Sequence, residues 1–211
     1  AIAALAIFAG SALAQVKVGV ITSATGPIAL VGIPQKNTVP LLPAKVGDLT
    51  VEYISLDDAS DPTASVTAVK KLLSEYNVDA IIGPSGSPNA MGAIQFIAEA
   101  GVPLLAPVGT AAVVLPMTEQ KKWVFKTTQN DDIIAKALVE HMSKAGVKTL
   151  GLIGTADPYG ENWAKVMAGL SDKAGIRIVA NEKFARTDSS VTGQAIKIFS
   201  AKPDAVLVLD E

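Results

Sequence analysis

The stretch Asp79-Ala-Ile-Ile-Gly-Pro-Ser-Gly-Ser-Pro-Asn-Ala-Met91 reads as a strand, a turn and the start of a helix in one short run. Residues 79–82 are largely apolar and stop at Gly83-Pro84, a pair that an interior strand does not continue through. Ser87 stands directly before Pro88, and Met91, Ile94, Phe96 and Ile97 follow as an apolar helical pattern. This makes Ser87 the expected N-cap and Pro88 the first helical residue.

The same unit recurs in both directions. The runs 16–22, 50–56, 102–106, 149–153, 176–184 and 205–209 are apolar enough to be strands buried on both faces, the mark of a parallel sheet. Between them, Asp61-Pro62 opens a helix carrying Val66, Val69, Leu73 and Tyr76. Asn130 or Asp131 opens another with Ile134, Ala137, Leu138 and Met142, closed by Gly146. Trp163, Val166, Met167 and Leu170 mark a third, closed by Gly175. Strand and helix in alternation predict an α/β fold of doubly wound parallel sheets. Residues 34–47 should hold the first crossover helix, but Pro40 and Pro43 make it short, kinked or broken. Residues 123–130 read as a crossing strand and hinge between two lobes, 15–127 and 128–211. The second lobe is expected to be incomplete, because the strand ending at Leu209 has no helix after it to cover it.

Residues 1–14 are uncharged and end in Ala12-Leu13-Ala14, the small-x-small pattern of a signal-peptidase site, so a partial signal peptide is expected there. The net charge of −2 offers no basic stripe for nucleic acid, and the chain has no cysteine for a disulfide, thiolate metal site or thiol nucleophile. Asp57-Asp58 suggests either a metal or loop ordering, and loop ordering is favoured because no further ligand is obvious. His141, the single histidine, falls in the last turn of a helix far from the Ser-rich turn, which leaves no Ser-His pair for acyl transfer. Gly83-Pro-Ser-Gly-Ser87 lacks the last glycine of a nucleophile elbow. No catalysis, cofactor or metal is expected.

Open α/β sheets bind ligands beyond the carboxyl ends of their strands. At Ser87 a hydroxyl and the positive end of a helix share one turn, which suits a carboxylate; from spacing alone, Ser87 could equally do no more than cap its own helix. The turn Pro107-Val-Gly-Thr-Ala111 adds the Val108 carbonyl and the Thr110 hydroxyl on the adjacent unit. Tyr159, in Thr155-Ala-Asp-Pro-Tyr-Gly160, could supply an aromatic wall from the second lobe.

Five motifs in order carry a family resemblance: Val18-Gly-Val-Ile-Thr-Ser-Ala-Thr-Gly-Pro27, Leu56-Asp-Asp-Ala-Ser-Asp-Pro62, Ile82-Gly-Pro-Ser-Gly-Ser87, Gly101-Val-Pro103 with Pro107-Val-Gly-Thr110, and Asp157-Pro-Tyr-Gly-Glu161. Together they resemble the type I periplasmic binding proteins of the branched-chain amino acid ABC transporter family. The resemblance implies a two-lobed clamshell in the periplasm, monomeric, which delivers its ligand to an ABC permease and ATPase complex. It implies that Ser87 and Thr110 hold a ligand carboxylate, that the Val108 carbonyl helps hold an amino group, and that Tyr159 closes over the ligand. The ligand would be a branched-chain or related amino acid, or an aromatic acid; Val31, at a wall position that is aromatic in leucine binders, weighs against the first. Some members pair cysteines at the positions of Ser60 and Gly86, both replaced here, and the acid that pairs with the amino group falls beyond Glu211. The alternatives are a ligand-sensing regulator on the same fold and an α/β enzyme.

Overall fold

A computed structural model describes residues 15–210, so the expected signal segment, residues 1–14, lies outside the described residues. In chain order the elements are β1 (Gln15–Thr22), α1 (Ala29–Thr38), β2 (Lys45–Val46), β3 (Leu49–Asp57), α2 (Pro62–Lys71), β4 (Ala80–Ile82), α3 (Ser87–Ala100), β5 (Leu104–Ala106) and β6 (Val124–Lys126). A second set follows: α4 (Asp131–Lys144), β7 (Thr149–Thr155), α5 (Pro158–Lys173), β8 (Arg177–Phe184), α6 (Thr192–Ser200) and β9 (Ala205–Leu209). The first set forms a sheet of order β2-β3-β1-β4-β5-β6 and the second a sheet of order β8-β7-β9. Every pairing is parallel except the β2–β3 edge, where two residues turn back antiparallel.

Each sheet is held by apolar strand residues meeting helix faces. In the first, Ile21, Ile81 and Leu104 pack on Val69, Leu72 and Ile97 of the α2–α3 layer, all fully buried. In the second, Leu150 and Leu152 of β7 pack on Ala135 and Val139 of α4 and on Trp163 and Met167 of α5. The opposite face of the second sheet is thinly covered. There α6 leaves a groove of about 380 Å³ lined by Ile153, Phe184, Ile198, Phe199, Val206 and Val208.

The local signals act as the residue chemistry dictates. Asp61 caps α2 by accepting the Ala64 amide at 2.6 Å. Gly146 and Gly175 take φ of +80° and +68° after their helices. The proline-rich segment resolves into α1 with Pro34 inside it, followed by a 3₁₀ turn, Val39–Leu41. Pro34 has no amide to bond the Leu30 carbonyl, and Leu30 lies on the exposed face of the helix. Helix α3 corrects the N-cap assignment by one residue. Gly86 is extended (φ −93°, ψ 145°) and its carbonyl accepts the Ala90 amide at 3.0 Å, so Gly86 is the cap and Ser87 the first helical residue.

Gly32 lies where α1 crosses the turn after β1, and a Cβ there would fall against the carbonyl oxygen of Ser23, well inside contact distance. Gly169 in α5 has open space around the same position. Gly32→Ala should therefore cost about 1–3 kcal/mol through overpacking, while Gly169→Ala should gain about 0.5–1 kcal/mol. Thermal or urea melts of the two variants decide this, and equal effects would show that α1 does not approach the turn so closely.

Candidate functional site

Strand order reverses at β1 and β4: the chain leaves β1 toward β3 on one side and β4 toward β5 on the other. The turns beyond these strands therefore border a crevice, as the switch point of a doubly wound sheet requires. A buried polar network laces them together. The Asp58 carboxylate, with no exposed surface, accepts the Ser23 hydroxyl at 2.6 Å, the Ser60 amide at 3.0 Å and the Asn89 side-chain amide at 2.6 Å. The Ser23 amide in turn donates to the Ser85 hydroxyl at 3.0 Å, and Ser85 donates to Gln35 of α1. Asp57 and Asp58 thus order loops, as the favoured reading held: Asp57 accepts the Ala59 amide at 2.9 Å and the Thr25 amide at 3.3 Å. Ser60 donates to the Thr25 carbonyl at 2.7 Å and accepts the Ile28 amide at 3.2 Å, tying the first two turns.

The four residues expected to touch ligand converge on the turn after β5. The Ser87 oxygen accepts the Thr110 amide at 3.5 Å, the long limit of a hydrogen bond, and both residues are fully buried. Thr110 caps the 3₁₀ turn Ala111–Val113 by accepting the Ala112 amide at 3.2 Å, a role that leaves the hydroxyl proton to donate elsewhere. The Val108 carbonyl accepts the Thr128 hydroxyl at 2.7 Å. Tyr159 arrives from the start of α5, which Asp157 caps by accepting the Tyr159 and Gly160 amides at 2.9 and 3.2 Å. Its ring is tilted against that of Trp163, with centroids 6.3 Å apart. Gly109 is where the two sets of elements meet: a Cβ there would stand 3.0 Å from the Tyr159 ring and 2.8 Å from an Asp131 oxygen.

A cavity of about 360 Å³ opens between the two sheets' turns, lined on one side by Pro27, Ser60 and Pro88 and on the other by Ala156, Asp157 and Arg186. Ser87, Val108, Thr110 and Tyr159 are not in its lining. Arg186 is held there by Asp157 at 2.7 Å and Asp210 at 3.3 Å. Among the described residues no cluster of three His, Asp or Glu could hold a metal, and no helix is long and apolar enough to cross a membrane.

Sequence reasoning missed Ser23, Ser85, Asn89, Thr128 and Arg186, whose partners lie far along the chain, and it took Asp131 only as a cap. Asp131 opens α4 and is buried, with the Asn162 amide on one oxygen at 2.7 Å. Burial pushes its carboxyl up; the Asn162 bond and the Lys126 charge oppose this without cancelling it, and Asp132 adds to it. Burial likewise lowers Lys126, against the pull of Asp131 and Asp132.

Two parallel sheets, with the turns beyond their strands meeting at one cavity, are the architecture of the type I periplasmic binding-protein fold. The chain belongs to the periplasmic binding protein family, whose model matches residues 15–210. It resembles an extracellular ligand-binding receptor from Rhodopseudomonas palustris HaA2, with a TM-score of 0.89 and 45% identity over 92% of this chain and 54% of that one. The Leu/Ile/Val-binding protein BraC3 of Rhizobium johnstonii is 26% identical over 94% of this chain and 55% of its own length. An ABC-transporter solute-binding protein from R. palustris, solved in complex with 4-hydroxybenzoate, shares the fold at a TM-score of 0.83 and 22% identity, over 93% of this chain and 54% of that one. The chain spans about half the length of the relatives it matches.

A carboxyl raised on folding binds its proton more readily in the folded state, so its contribution to stability is lost as pH rises from the ordinary carboxylate range through the raised value. Asp131→Asn keeps an acceptor for Asn162 and removes the charge. Its melting temperature relative to the parent should climb as pH rises above the ordinary carboxylate range of about 4; a difference that stays constant with pH would refute the raised carboxyl.

Proposed function

We propose that the chain forms the ligand-holding part of an extracytoplasmic solute-binding protein, which captures a small carboxylate and presents it to an ABC permease and its ATPase. The lobes divide at residues 127 and 128. The ligand is an amino acid or an aromatic acid, it leaves chemically unchanged, and the protein acts as a monomer in the periplasm. The observation that carries this reading is the pairing of Ser87 and Thr110 at the start of α3, side by side beyond the ends of β4 and β5. Because Gly86 has no side chain, the first turn of α3 receives no capping group from its own cap residue. An anion is the natural complement of such a helix start. The kinship to a Leu/Ile/Val-binding protein and the fold shared with a protein that holds 4-hydroxybenzoate bracket the ligand classes.

Hydrogen bonds to a charged group are worth roughly 1.5–3 kcal/mol. Ser87→Ala and Thr110→Val should each weaken carboxylate binding about ten- to a hundredfold, as read by calorimetric titration of the whole protein. Since Thr110 also caps a turn, Thr110→Ser is the control and should retain most of the affinity. If an amide binds as well as the parent acid, the anion site is wrong, and turnover of the bound ligand would overturn the non-catalytic reading.

A further inference from the structure

The segment that joins the two sheets is bound by side chains to the ligand turn. Lys126, the last residue of β6, extends its ammonium over the segment that follows it. It donates to the Thr128 carbonyl at 3.0 Å, to the Thr128 hydroxyl at 3.0 Å and to the Gln129 carbonyl at 2.6 Å. All three donors of the ammonium are thereby engaged with the crossing segment. The Thr128 hydroxyl, accepting from Lys126, donates its own hydrogen bond to the Val108 carbonyl at 2.7 Å. A hydroxyl that accepts from a cation is a stronger donor, since bonds in a chain polarise one another.

We infer that Thr128 is a positioning residue: through the chain Lys126–Thr128–Val108, the geometry of the crossing segment sets where the ligand turn presents its carbonyl. Among the described residues Val108 has no backbone ladder partner, because β5 ends at Ala106, whose carbonyl accepts the Thr127 amide at 3.1 Å. Two residues further on, the Thr110 amide donates to the Ser87 hydroxyl oxygen, and the Thr110 hydroxyl accepts the Ala112 amide. Between those anchors, the Thr128 hydroxyl fixes the peptide of Val108. A carbonyl has two lone pairs, so the one not used by Thr128 can meet a ligand donor such as an ammonium group. The inference rests on the carboxylate-binding reading for its consequence in affinity, though its local part stands without a ligand.

Thr128→Val is nearly isosteric and removes only the relay; Thr128→Ser restores the hydroxyl. The first measurement needs no ligand: hydrogen exchange followed by mass spectrometry on the whole protein. Peptides spanning residues 107–111 should exchange at least about threefold faster in Thr128→Val and at the parent rate in Thr128→Ser, with peptides of α2 and α5 unaffected. The second is calorimetric titration with L-leucine, its des-amino analogue 4-methylpentanoate, and 4-hydroxybenzoate. For a probe with an ammonium group, Thr128→Val should cost about three- to tenfold in affinity, and for a plain acid less than about twofold. Unchanged exchange at 107–111, or equal losses for L-leucine and the acids with no rescue by serine, overturns the positioning role. Faster exchange at 107–111 combined with no binding of any probe by the parent protein would instead leave the relay standing and remove the proposed ligand class.

Discussion

The Asp58 carboxylate sits where β3 hands over to α2, sealed from solvent, and three turns supply its hydrogen bonds. A buried carboxylate without partners is costly enough to change protonation or disrupt its surroundings. Here the Ser23 hydroxyl, the Ser60 amide and the Asn89 side chain satisfy it, and each comes from a different part of the chain. The turn after β1, the turn after β3 and the first helical turn of α3 must therefore settle together. Since Ser87 lies two residues before Asn89 on α3, the orientation of the helix start and the setting of that carboxylate are one structural fact.

Most of the strands follow from patterns visible along the chain, because strands of a parallel sheet are covered on both faces and read as apolar runs, whereas their order in the sheet does not. The exceptions have local causes. The run 102–106 shrinks to a strand at Leu104–Ala106, although the Pro103 carbonyl still accepts the Ile81 amide at 2.9 Å; proline can accept in a ladder but not donate. Strand β2 has only two residues, Lys45 and Val46, both exposed, so it leaves no alternation to detect. The N-cap of α3 moves to Gly86 because that residue alone lacks a side chain to place in the crowded space beside Ile28 and Asn89.

The candidate site was legible where its contacts are local and hidden where they are not. A hydroxyl before a proline at a helix start, or an aromatic after an Asp-Pro pair, can be seen in a few residues, and Ser87, Thr110 and Tyr159 do gather around Gly109. Asn89 reaching Asp58, Thr128 reaching Val108, and Arg186 reaching Asp157 join residues that have no shared pattern. Asp131 looked like a helix-opening residue, and it is one. Its second role, a carboxyl buried against the turn after β5, depends on how closely α4 approaches Gly109, and nothing in its neighbours along the chain signals that.

Within the described residues the chain passes from one sheet to the other once, through residues 127–130. Mechanically this is a bearing, and covalent geometry alone would let it both bend and swivel. What restrains it is the Lys126 ammonium bridging two carbonyls and a hydroxyl, in a segment where Thr127, Thr128 and Gln129 are all exposed. Water can replace each of those bonds in turn, whereas the central strand β7 of the second sheet is paired on both sides and buried along almost its whole length. The stiffness of the bearing is thus set by hydrogen-bond lifetimes, and it will soften on warming well before either sheet loosens.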